Sequence, residues 1–162
     1  MQIKTYLIAA VFGLGLASTA SIALAESDEY FPPVKHPLAK EECSACHMAF
    51  SAAFLPKRSW TKIMTNLEDH FGEDASLDPA AQAEIQSWLE ANAADTGGRR
   101  RGVLRQIDSN DIPMRITAMP WWTRQHRPGE VNPAAFDRPN VGSKANCAAC
   151  HRGAERGYYE DD

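Results

Sequence analysis

Apolar positions recur at helical spacing in the first half of the chain and lose that regularity in the second. Trp60, Ile63, Met64, Leu67 and Phe71 are separated by steps of three and four, the period that lays one stripe of a helix against a core. Ser59 stands where an N-cap would, and Gly72 where a left-handed C′ residue belongs, so the spacing predicts a helix over 60–71. Asp78 followed by Pro79 supplies an N-cap and a proline at the first helical position. A helix is expected from there to about residue 93, with Ile85, Trp88 and Leu89 on its buried side. A further helix is expected over about 38–53, broken before Pro56, while Pro32, Pro33 and Pro37 hold the preceding segment extended.

Beyond residue 95 the pattern changes. Residues 96–113 are rich in Gly, Arg and Asp and read as a linker. Pro113, Pro120, Pro128, Pro133 and Pro139 then leave no room for a long helix before Cys147. A short helix is expected over about 144–154, and no segment makes a strong strand. The expected fold is mainly α with extensive loops: a helical lobe over 26–95, a linker over 96–113 and a loop-rich lobe over 114–162. Residues 1–25 stand apart. Lys4, an apolar run from Tyr6 to Leu16 and the small-residue site Ala23-Leu24-Ala25 make a secretory signal peptide, excluded from the fold. No later segment reaches the ~18 apolar residues of a membrane span. The expected location is the periplasm.

The chemistry lies in two copies of one pattern, Cys43-Ser44-Ala45-Cys46-His47 and Cys147-Ala148-Ala149-Cys150-His151, which use all four cysteines. In C-x-x-C-H the two thiols add across the vinyl groups of one haem, and the adjacent histidine binds its iron. A zinc ribbon would bring its pairs within about 15–20 residues of each other, against about a hundred here. A thioredoxin-type dithiol would want a βαβ context. Disulfides within each pair would close very short loops and leave both histidines unexplained. Two c-type haems are therefore expected, attached through Cys43, Cys46, Cys147 and Cys150, with His47 and His151 as proximal iron ligands. Bacterial c-type haems are attached after export, in agreement with the leader.

What fills each sixth iron position separates an electron carrier from a catalyst. His36, His70 and His126 remain. His70 lies three residues after Leu67 on the expected apolar helix face, which makes it the candidate for the first iron. His126, just after Trp121-Trp122 and before the second motif, is the candidate for the second. His36, in the proline-rich lead, ranks third. Methionine is the rival ligand, through Met64, Met114 or Met119, and would raise the potential. Gap-filling around porphyrin is the simpler role for these residues.

Charge divides along the chain. Residues 26–95 carry 13 acidic and 5 basic side chains, and residues 96–162 carry 8 acidic and 11 basic. Two readings stay open: a solvated surface without further meaning, or opposed faces that orient the molecule between donor and acceptor. Arg99-Arg100-Arg101 follows Thr96-Gly97-Gly98 and reads as linker, since an exported protein meets no nucleic acid.

The sequence resembles the dihaem cytochrome c family of periplasmic electron carriers. The resemblance rests on Glu42 to Phe50 around the first motif, Leu55-Pro56, Ser59-Trp60, Ile63-Met64, Leu67, His70-Phe71-Gly72 and Ala75 to Asp78. It continues through Arg115-Ile116-Thr117, Pro120-Trp121-Trp122, His126 and Ser143 to His151. It implies low-potential single-electron transfer without catalysis, and bis-His irons, with His47 opposite His70 and His151 opposite His126. It also implies redox partners: a small oxygen-binding monohaem cytochrome c, and a membrane b-type cytochrome as electron source. The competing functions are a haem enzyme or gas-binding protein with one open iron, and a redox subunit of a larger reductase.

Overall fold

The structure, a computed structural model, describes residues 30–96 and 102–160. The leader over 1–25 and Arg99-Arg100-Arg101 lie outside the described residues. Among the described residues four α-helices carry the fold: α1 (Pro37–Ser44), α2 (Lys57–Met64), α3 (Pro79–Ala91) and α4 (Pro120–Gln125). Short 3-10 turns and loops make up most of the rest, and among the described residues strand pairing is limited to isolated bridges. The mainly α, loop-rich architecture is the one expected. Among the described residues no helix is long and apolar enough to cross a membrane.

Helix α1 starts with Pro37 at its first turn and the His36 imidazole accepting from the Ala39 N–H. It ends at Ser44, well short of the expected residue 53. The reason is burial: residues 51–56 are all buried, and an α-helix cannot turn six consecutive side chains toward one core. The chain runs extended instead into a 3-10 turn, Ala52–Phe54, capped by Ser51, whose hydroxyl donates to Pro32 O at 2.7 Å.

Helix α2 begins three residues before the expected start. Pro56 is its N-cap, and Ser59 is buried within it. The apolar stripe holds for Trp60, Ile63 and Met64, all buried. After Met64 the helix breaks, because Asn66 leaves helical geometry and its side chain donates to Asp69 O at 3.2 Å. A 3-10 turn over Leu67–Asp69 then presents Leu67 to the core, so the spacing survives although the single helix over 60–71 does not. Phe71 is exposed rather than buried, at φ 60°, and Gly72 has the left-handed φ expected of it, 102°.

Helix α3 opens as its sequence predicts, with the Asp78 carboxylate accepting from Ala80 N–H at 2.9 Å. It packs Ile85 and Leu89 inward, with Trp88 half-buried. It is tied to α2 through the Glu90 carboxylate, which accepts from Thr61 Oγ1 at 2.6 Å and faces Lys57 Nζ at 3.4 Å.

The second half folds back over the first. Arg58 donates to Asp111 O and, at 2.9 Å, to Asp108 O. Phe31 and Phe54 stack on Trp121 with centroids 5.4 and 5.5 Å apart, and Tyr159 meets both phenylalanines edge-on. The expected helix over 144–154 is replaced by 3-10 turns at Cys147–Ala149 and Ala154–Arg156. Long-range pairing overrides it. Gly157 O accepts from Phe31 N–H at 2.8 Å, and Tyr158 bridges to Tyr30. Gly157 permits this approach: its φ is 92°, and a Cβ there would lie 2.1 Å from Phe31 O.

Candidate functional site

The fold assembles two sites, each from one cysteine motif and one distant histidine. At the first, Cys43 lies in the last turn of α1, and Cys46 and His47 follow it, both exposed. The His47 ring stacks on Phe50 at 4.8 Å, and its Nδ1 lies 2.8 Å from Met48 O. That contact places the proton on Nδ1 and leaves the lone pair on Nε2. His70 arrives from just beyond the 3-10 turn, its backbone fixed by donation to Glu73 O at 2.8 Å. The two rings face each other with centroids 6.2 Å apart and planes 24° apart. Burial holds the His70 imidazole below its usual pKa, with smaller effects of the same sign from His47 and Arg115. Neutral imidazole is the form that can bind a metal.

At the second site the Cys147 motif forms a 3-10 turn, with His151 N–H donating to Cys147 O at 2.9 Å. His151 Nδ1 lies 3.1 Å from Glu160 O, and its ring meets Tyr159 at 5.8 Å. His126 caps α4. Its Nδ1 lies 2.9 Å from Trp122 O, and its ring stacks on Trp122 at 4.1 Å and 9°. The His126 and His151 centroids are 6.1 Å apart, with planes at 84°.

These separations fit a metal held between imidazoles. With a metal–nitrogen bond of about 2.0–2.1 Å and ~1.1 Å from ring centre to nitrogen, opposite ligands on one ion place their centroids roughly 6.3 Å apart. Two histidines do not make a metal site by themselves, and among the described residues no group of three or more His, Cys, Asp or Glu gathers around one point. The remaining donors must come from the bound group, as a porphyrin supplies four in its plane. The residues therefore fit haem, and they do not fit a zinc ribbon.

The thiols argue against a redox dithiol. All four are free of disulfides. Burial pushes the Cys43 thiol up, aided by the Glu42 charge, and burial pushes Cys147 up to about 11. Reactive C-x-x-C thiols are held low instead.

His36 is used elsewhere. It caps α1 through Nδ1, and its Nε2 lies 3.2 Å from Glu84 Oε1 on α3. Replacing His36 by Ala is expected to cost about 1 kcal/mol of stability, the typical value of a lost cap, and to leave the visible spectrum of the holoprotein unchanged. Thermal melting with parallel absorption spectra checks both. A new high-spin band would make His36 a ligand.

Two buried polar atoms, Ser59 Oγ and Trp121 Nε1, have no hydrogen-bond partner among the described residues. Such a group costs about 1–3 kcal/mol when left unsatisfied, so each marks a place where a bound group or water belongs. Sequence reasoning missed Phe50 and the stacking role of Trp122. The signal was spacing: Phe50 is three residues after His47, and Trp122 is one helical turn before His126. It also missed Arg115, whose guanidinium lies 4.2 Å over the Phe71 ring beside His70. Nothing in the local pattern around Arg115 points to that contact.

Comparisons with known proteins point to the same cofactor. A family model described as dihaem cytochrome c matches residues 39–159. No curated protein matches. Among solved structures, a diheme cytochrome c from Rhodobacter sphaeroides shares 52% sequence identity at a TM-score of 0.73, covering 78% of this chain and 98% of that one. A diheme cytochrome type c from Shewanella baltica OS155 shares 35% identity at a TM-score of 0.61, covering 76% of this chain and 86% of that one. The family match spans both cysteine motifs, and the first solved structure is alike over nearly its whole length, so this chain belongs to the dihaem cytochrome c family, and two haem c groups are its cofactors.

Proposed function

We propose that the protein carries single electrons between redox partners in the periplasm, without catalysis, through two bis-His irons. His47 and His70 hold the first iron. His151 and His126 hold the second. Cys43, Cys46, Cys147 and Cys150 form the thioethers. The observation that carries this reading is the separation of the paired rings, 6.2 and 6.1 Å, each matching two imidazoles on one ion.

When bound, each haem supplies a reversible one-electron couple at its iron. The protein's part is to hold that couple rigid and closed. His47, His126 and His151 each direct Nδ1 at a backbone carbonyl, which fixes ring orientation and makes Nε2 more basic. A more basic ligand favours the ferric state and lowers the potential. Imidazole on both faces leaves no coordination position for oxygen or peroxide, which disfavours an enzyme or gas-binding role. The leader over 1–25 supports export. The resemblance supports a small oxygen-binding monohaem cytochrome c and a membrane b-type cytochrome as partners. The acidic first half and basic second half suit a molecule that meets two such proteins by different faces.

Electron paramagnetic resonance of the oxidised holoprotein tests the ligation. Near-parallel imidazole planes make the two iron d orbitals that overlap the ligand π systems inequivalent, whereas near-perpendicular planes leave them almost equivalent. The first haem, at 24°, is expected to give a rhombic low-spin signal, and the second, at 84°, a single strongly anisotropic low-spin feature. A high-spin ferric signal from either haem would defeat the bis-His reading.

A further inference from the structure

We propose that the indole N–H of Trp121 donates a hydrogen bond to a haem propionate and holds the potential of that haem up. The inference rests on the two-haem, bis-His reading above and adds a residue that tunes one of the two couples.

The indole nitrogen is a donor only. Trp121 is 7% exposed, and its Nε1 has no partner among the described residues. Trp60 shows how the same core treats an indole whose acceptor is protein: its Nε1–H donates to Ala52 O at 2.7 Å. Phe31 and Phe54, in contact with each other at 4.5 Å, both pack against the Trp121 ring at 28° and 19° and offer no acceptor. Its N–H edge therefore requires an acceptor that the described residues do not supply.

Position identifies that acceptor. Trp121 belongs to a stretch of chain, 115–126, that contributes to both sites. Behind it in the chain is Arg115, whose guanidinium lies over the ring of Phe71, the neighbour of His70. Just after it comes Trp122, stacked on His126. Across the aromatic cluster, Tyr159 meets Phe31 and Phe54 on one side and the His151 ring on the other. A haem seated between either histidine pair brings two propionates. An ionised carboxylate only accepts hydrogen bonds, and in a buried setting it needs donors.

The consequence for function follows from charge. A propionate close to iron stabilises the ferric state. A donor aimed at its oxygens in a low-dielectric core offsets part of that charge and favours the ferrous state. Trp121 would therefore raise the potential of the haem it contacts, and so set the driving force between the two haems.

Two measurements on the holoprotein test this. In the reduced wild type, where bis-His ferrous haem is diamagnetic, the Trp121 Nε1–H is expected to show a nuclear Overhauser contact to the propionate methylene protons of one haem. That contact states which haem is the partner. In Trp121→Phe, which keeps a ring for Phe31 and Phe54 to pack on, the redox wave of the same haem is expected to move to lower potential. Its reduction equilibrium should fall threefold or more, about 28 mV for one electron, with the other wave in place. An N–H contacting only aromatic protons or a buried water would overturn the proposal, as would unchanged waves in Trp121→Phe. Either negative result leaves low-spin spectra at both haems, so the bis-His reading stands or falls separately.

Discussion

Replacing His70 by Ala is expected to convert the first iron from a closed to an open site while its haem stays attached. In the proposed attachment the thioethers form at Cys43 and Cys46 and do not involve His70. The ring it removes is the one facing His47 across 6.2 Å. Two candidate substitutes are engaged elsewhere. His36 is engaged by Ala39 and Glu84, and Met64 is packed into the core on α2, one face of a helix that His70 does not share. The ferric variant should turn high-spin at one haem, and the ferrous variant should bind about one carbon monoxide per protein, where the wild type binds none. Carbon monoxide titration of both reduced proteins reads the difference. Equal binding by the two would remove His70 from the iron. Because Phe71, next in the chain, holds φ 60° under the Arg115 guanidinium, the loop is expected to keep its shape without the imidazole.

His70 illustrates what the sequence carries. Its residue type and its place on the Trp60, Ile63, Leu67 stripe were legible, because hydrophobic spacing records which side of the chain meets the core. Its local structure was not. The stripe is delivered by α2 and then by a separate 3-10 turn, and the break is made by Asn66 and by the pairing of His70 with Glu73, none of which alters the spacing. Asp78-Pro79 was legible to the residue, because a cap is local chemistry. The end of α1 and the missing helix over 144–154 were not. Both are decided by contacts between distant segments: Ser51 with Pro32, and Gly157 with Phe31.

The two sites were equally legible as motifs, yet the structure makes them unequal. The first pair of rings is near-parallel and the second near-perpendicular. At the second site both histidines direct Nδ1 at a carbonyl, Trp122 O and Glu160 O. At the first, the contact found is the one from His47 to Met48 O. In the proposed ligation the two irons differ in ligand electronics, which would set their potentials apart and give electron flow between them a direction.

Replacing His126 by Met tests that difference at the second haem and is expected to raise its potential while leaving the first nearly unchanged. Thioether sulfur donates less to ferric iron than imidazole does, so the ferrous state gains. The structure adds a second contribution of the same sign. The Nδ1 contact of His126 with Trp122 O, which makes the imidazole a stronger donor to ferric iron, disappears with the ring. His126 sits at the end of the short helix α4, before a loop that runs on through Pro128 and Gly129, and adjustment of that loop is what lets the methionine sulfur, one bond nearer the backbone than Nε2, reach the iron. The rise should be at least about 59 mV, tenfold in the equilibrium constant for one electron. A two-wave redox titration of both proteins measures it, and absorption spectra taken at each potential assign the wave that moves. Unchanged waves, with low-spin bis-His spectra kept at both haems, would take His126 off the second iron. A shift in the first wave alone would mean that the two pairs had been exchanged.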